Sequence, residues 1–174
     1  MTASDVRDSR LEFPDRSRLL RAGLFTGISD GLFACALAPT LLHITVTRLW
    51  QGVASVLIGP SAIGGGGATA LLGVAMHFGV AFGWSTVLYV LVGRSPWLRG
   101  VLRSPFGVFK VAAVYGPSIW LVMSLVVIPL LVRRAPALTL RWLVQWIGHA
   151  PFVGFPMTAA IAGGWTRSPE RSGR

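Results

Sequence analysis

Residues 68–92 read ATALLGVAMHFGVAFGWSTVLYVLV, twenty-five consecutive positions without a formal charge. A helix of about 20 apolar residues crosses the hydrocarbon of a bilayer, and few soluble folds keep so long a stretch free of charge. Three further stretches have similar length and character: 19–43, 108–132 and 142–164. Four such segments in 174 residues leave no room for a separate soluble domain. The expected organisation is therefore a polar tail (1–18), one transmembrane domain (19–164) and a second polar tail (165–174). The fold class is all-α, a four-transmembrane-helix bundle.

Composition agrees. Hydrophobic residues make up 53% of the chain, charged residues 13%, and the mean hydropathy is +0.64. Sixteen basic residues against six acidic give a net charge of +10. The basic residues sit between the apolar runs, which follows the positive-inside rule rather than a nucleic-acid surface. Counted by side, the tails and the 93–110 connection carry twelve Lys and Arg, against four at Arg48 and 133–141. This asymmetry predicts both termini on the cytoplasmic side of the membrane. The first apolar run resembles a cleavable leader, with LFAC and an Ala-x-Ala at Ala36 and Ala38. Asp30 interrupts it, so it is expected to be retained as the first span. The one cysteine, Cys35, excludes an intramolecular disulfide.

Between the first two spans lies RLWQGVASVLIGPSAIGGGG. It is too apolar for a plain loop and too short to span well. A half-helix over 46–58 ending at Gly59-Pro60 reads as an interfacial or a re-entrant element. Arg48 and Trp50 at its start are expected to anchor it at the interface.

Lipid gives helices no hydrophobic reason to associate, so small residues must let backbones approach. Gly23, Gly27 and Gly31, spaced by four, form one stripe on the first span, with Asp30 on its packed side or edge. The second span has two small faces: Ala75, Gly79 and Gly83 on one, and Gly73, His77, Ala81 and Trp84 roughly opposite. All six of these stripe glycines are expected to pack helices, and a face left outward would want an external partner. Pro117 and Pro129 in the third span, and Pro151 and Pro156 in the fourth, are expected to bend or break their helices. Gln145 and His149, four apart, share a face of the fourth.

GLFTGISDGL, RLWQGVASVLIG, LLGVAMHFGVAF, YGPSIWLVMSLVVIPL and HAPFVGFPM follow one another in the chain. Together, over residues 22–157, they resemble a group of small, uncharacterised bacterial four-helix integral membrane proteins. The resemblance implies a topology, and no activity, cofactor or catalytic residue comes with it. The chain departs from the group in GVASVLIG, where the group has a glycine after the serine, and in its polar N-terminal tail.

Ionisable side chains inside a span are expensive, which makes them functional candidates. Asp30, His77, Gln145 and His149 form the candidate intramembrane polar site. Asp30 can tie helices together or hold a proton or cation. His77 and His149 can hydrogen-bond, relay protons, or ligate a metal, a haem or a chlorophyll-type pigment, although no metal-type spacing is present. There is no CxxC, HExxH or GxSxG and no carboxylate pair, so no catalytic residue is assigned and the chain does not read as an enzyme. Three function classes follow. The first is an accessory or structural subunit packed against unlike subunits of a larger membrane complex. The second is a small solute, ion or proton transporter or channel acting as a homo-oligomer. The third is a haem, pigment or metal-binding bundle.

Overall fold

The computed structural model describes residues 13–163, and every regular element among them is helical. Helix α1 spans Arg16–Thr40, α2 Val46–Ile58, α3 Gly66–Arg94 and α4 Pro96–Arg103. Helix α5, Gly107–Val132, contains a π-turn at Met123–Val127. The last rod, α6 (140–162), joins Leu140–His149 to Phe155–Ala162 through a second π-turn, Ala150–Gly154. Three helices, α1, α3 and α5, are long and apolar enough to cross a membrane. The expected fourth span is instead two short helical pieces in line. Pro151 and Pro156 each remove a backbone donor there, and the chain widens its turn around them. Pro117 sits within regular helix, and the distortion of α5 falls just before Pro129.

Local chemistry sets the ends. Asp15 caps α1, its Oδ1 accepting from the Ser17 amide at 3.2 Å and its Oδ2 from the Ser17 hydroxyl at 2.6 Å. That cap starts the helix at Arg16, three residues before the hydropathy boundary. Thr45, Ser95 and Thr139 cap α2, α4 and α6 in the same way. Gly59, at φ 77°, ends α2 in a conformation open to glycine at little cost. The chain then makes one 3₁₀ stretch, Pro60–Gly64, and re-enters helix at Gly66. The expected tails fall largely outside the described residues. Phe13 and Pro14, though, belong to the fold: Phe13 stacks on Tyr89 with centroids 5.6 Å apart, and the Tyr89 hydroxyl donates to the Pro14 carbonyl at 2.7 Å.

α1 and α3 run antiparallel in close contact. The Phe82 and Phe78 rings fill the places where Gly23 and Gly27 lack side chains. Gly31 is less demanding: an added Cβ there would meet His77 and Trp50 at ordinary distances of 3.5 and 3.7 Å. α2 folds back along α3 as a tight hairpin, with the Trp50 carbonyl resting on Gly73. α5 and α6 approach just as closely, Gly116 against the His149 carbonyl and Gly154 against the Ala112 carbonyl.

Two expectations need correcting. Gly79 and Gly83 pack no helix among the described residues, because an added Cβ at either meets none of them within 4 Å. α3 buries its Gly73, Ala81, Ser85 and Leu88 face and reaches α1 with the rings of Phe78 and Phe82, which leaves Ala75, Gly79 and Gly83 exposed. Trp50 is no outward anchor. Gly73 admits the α2 backbone so closely that the indole turns inward, toward Gly31 and His77. Arg48, by contrast, is exposed, and only its backbone amide is engaged, by the Thr45 cap.

The buried apolar core, including Leu88, Val92, Leu102, Met157 and Ile161, fills the half of the bundle nearest α4. The outward faces are apolar as well, with Leu32, Leu71 and Leu130 at 67%, 70% and 73% exposure. So much exposed hydrocarbon on several helices far exceeds the patches a soluble monomer tolerates.

Candidate functional site

The other half of the bundle encloses a cavity of about 290 Å³. All four polar residues singled out in the sequence, Asp30, His77, Gln145 and His149, line it. Five elements contribute to the wall: Asp30 from α1, Trp50 from α2, His77 from α3, Trp120 from α5, and Gln145 with His149 from α6. Both π-turns border it, through Met123 and Val153. Wide turns of this kind recur at functional sites because they re-aim side chains and free backbone carbonyls.

His77 is held at one ring nitrogen and faces a carboxylate with the other. Nε2 lies 2.9 Å from the Gly27 carbonyl, which only accepts, so this nitrogen carries the proton and donates. Nδ1 faces Asp30 Oδ2 at 3.9 Å. In a neutral ring Nδ1 is then a lone pair set against a carboxylate, two acceptors with nothing between them. The arrangement is satisfied by one more proton, on Nδ1 or on Asp30, or by a water between the two. At 3.9 Å the gap is too long for a direct hydrogen bond and short enough for an ion pair. Trp50 packs edge-on to the same imidazole, with centroids 5.2 Å apart.

His149 has the opposite tautomer. Its Nδ1 donates to the Gln145 carbonyl at 2.7 Å, leaving Nε2 as the acceptor. The Trp120 ring lies against it with centroids 4.9 Å apart. His149 is buried, and Asp30 and His77 both lie within its electrostatic reach. Gln145 therefore matters to His149 first through its backbone. Two more polar groups lie in the wall: the hydroxyl of Thr26 and the indole nitrogen of Trp120 are buried without a hydrogen-bond partner among the described residues.

A second cavity of about 420 Å³ opens toward the 133–139 segment and includes Arg134 and Arg141 in its lining. It shares Trp120, Ile128 and Gln145 with the inner cavity, so these three side chains form the partition between them. Trp142 donates from Nε1 to Ser124 Oγ at 3.0 Å and ties α6 to the π-turn of α5 beside that partition.

The third histidine, His43, lies exposed in the left-handed region (φ 53°) of the turn after α1, away from the cavity. Among the described residues no three His, Cys, Asp or Glu side chains gather to hold a metal ion. The inner cavity sits at the lower limit of small-ligand sites and is too small for a tetrapyrrole ring. What it can hold is a small solute or a cluster of waters, next to the facing side chains of Asp30 and His77.

Arg99 escaped the sequence reading, where it counted only as loop charge. It is 4% exposed, and its guanidinium donates to the Val92 and Gly93 carbonyls at 3.1 and 2.9 Å. It thus closes the C-terminal end of α3. Arg18 does the same for α6, donating to the Ile161 carbonyl at 3.3 Å.

No family model, no curated protein and no solved structure matches this chain.

Proposed function

We propose that this chain is an integral membrane protein that passes a proton, or a small solute with a proton, through the cavity between Asp30, His77 and His149. The supporting observation is convergence. The one acidic residue within the apolar segments faces His77 across 3.9 Å, at a cavity that His149 also lines. A protonatable pair in a low-dielectric setting is costly unless it is used. The π-turns of α5 and α6 beside it supply backbone that can shift with little loss.

In this reading α6 is the fourth crossing, since its 23 positions at about 1.5 Å each are long enough. The hairpin α2–α3 is re-entrant, because Trp50 reaches the ring of His77, about 16 Å along α3 from its start. Both termini lie in the cytoplasm of a bacterium, at the end of the bundle where Arg16, Arg18, Arg21, Arg94, Arg99, Arg103 and Lys110 collect. Protons reach the pair from the opposite side, through the Arg134–Arg141 vestibule and past Trp120 and Gln145.

The test is proton flux into vesicles containing the purified protein, driven by a potassium diffusion potential and read with an internal pH dye. Asp30→Asn removes the exchangeable proton and keeps the volume. The flux is expected to fall at least about tenfold, the order expected when one general acid–base group is lost. Unchanged flux in a variant of unchanged helicity would sink the proposal.

One observation favours a second reading, the accessory subunit. The Ala75–Gly79–Gly83 face of α3 is small, exposed and without a partner among the described residues. Native mass measurement separates the two readings. Unlike subunits in the particle support an accessory role, and bare multiples of 18.6 kDa support a homo-oligomer.

A further inference from the structure

A second site lies further along the same face of α3, toward its C-terminal end, and does not include Asp30. α3 and α5 do not pack backbone to backbone. The Tyr115 hydroxyl bridges them, donating to the Trp84 carbonyl at 2.8 Å, and α4 closes the gap at one end. Between them runs a groove of about 590 Å³. Its length is walled by Leu88, Leu91, Val111 and Val114. Its closed end carries Lys110, the only lysine in the chain, and Trp97, which is 76% exposed.

We infer that this groove holds one acyl chain of an anionic phospholipid whose phosphate rests on Lys110. The layout is that of an amphiphile in negative. A cation and an indole mark one end, and the wall beyond is mostly hydrocarbon, the hydroxyls of Tyr115 and Ser118 being spent on the Trp84 and Val114 carbonyls, as a headgroup and its chain require. Lys110 lies in the first turn of α5, level with α4, while Val114 and Ser118 follow up to about 12 Å further along the helix. Among the described residues no carboxylate pairs with Lys110, so its charge is available to a phosphate. A zwitterionic headgroup would bring its own cation to the same place and gain less. The occupant would also explain how the backbones of α3 and α5 stay parted above their shared core residues Leu88 and Val111.

The test is native mass spectrometry of the full chain in mild detergent, titrated with phosphatidylglycerol or phosphatidylcholine of identical chains. The expected result is one bound lipid per chain, with phosphatidylglycerol preferred about fivefold. Lys110→Glu should erase the preference and Lys110→Gln should weaken it. Because this side chain is exposed and has no carboxylate partner among the described residues, neither change should alter the melting temperature. Val114→Trp fills the groove and should remove binding of both lipids while Lys110 stays in place. Equal binding of the two lipids by the unaltered protein would overturn the inference. So would a preference that survives Lys110→Glu, which would assign it to the general basic character of that end. Full binding in Val114→Trp would mean the lipid sits elsewhere.

Discussion

Gly73→Ala should be among the most damaging one-carbon changes in the chain. The added Cβ would lie 2.7 Å from the Trp50 carbonyl carbon, 3.2 Å from its Cα and nearer still to its oxygen. All three are backbone atoms, so no side chain can rotate away. α2 must retreat by about 1 Å or more, carrying Trp50 off His77 and Gly31. Overpacking of this kind costs up to about 3 kcal/mol. Alanine's better helix propensity returns about 1 kcal/mol, leaving a net loss of about 2 kcal/mol. Gly79→Ala is the matched control, on the same helix with no described residue within 4 Å of the new carbon. It should gain about 0.5–1 kcal/mol. The two variants then differ by about 3 kcal/mol, or about 9 °C in melting temperature for a chain of this size. Thermal melts followed by circular dichroism in one detergent measure the gap. Equal melting temperatures would refute the packing argument for α2 on α3. A fall for Gly79→Ala as large as that for Gly73→Ala would instead show that the outer face of α3 is covered in the assembled protein.

Arg99→Ala strands the Val92 and Gly93 carbonyls at the buried end of α3 and should cost about 3 kcal/mol in thermal melts, with Arg99→Lys recovering part of it. Tyr115→Phe removes the single bridge from α5 to Trp84 and should cost about 1 kcal/mol without changing helicity. Asp15 is held below its usual 3.8 by its bonds to the Ser17 hydroxyl and amide. A carboxyl depressed in the folded state stabilises above its unfolded value and loses that contribution as pH falls through the lower folded one. Amide exchange in the first turn of α1 should therefore quicken, relative to the intrinsic rate, below about pH 4. In Asp15→Asn that dependence should vanish, and a dependence that persists would assign it to another group.

Hydropathy located the long helices because each is apolar on all sides. The stretch 68–92 became Gly66–Arg94, and 108–132 became Gly107–Val132. The first helix slid three residues toward the N-terminus because a capping hydrogen bond at Asp15 outweighs the apolar boundary, and hydropathy carries no term for caps. The small helix α4 was missed for a related reason. It is signalled only by Ser95-Pro96, a cap followed by a residue suited to the first turn. The site was legible one helix at a time. Periodicity put Asp30 at the edge of the glycine stripe, His77 on the Gly73 face, and Gln145 with His149 on one side of α6. That these faces meet depends on the register between helices, which Phe82 on Gly23 and Trp50 on Gly73 set through shape. No single-sequence pattern encodes such pairings. Trp50 and Arg48 looked alike as a belt pair, yet a glycine 23 positions away decides that one turns in while the other stays out.

The wide turns have a consequence for chain length. A π-turn carries one residue more than the α-turn it replaces, so Ala150–Gly154 is an insertion already absorbed. Deleting one residue elsewhere in a helix rotates everything beyond it by about 100° and turns a buried face outward. Deleting Phe152, which is 37% exposed, lets this turn close into regular helix. Met157 and Ile161 then keep facing the core, and His149 keeps its place on the cavity. The helix that forms one side of the candidate site can therefore be shortened by one residue where a regular helix could not.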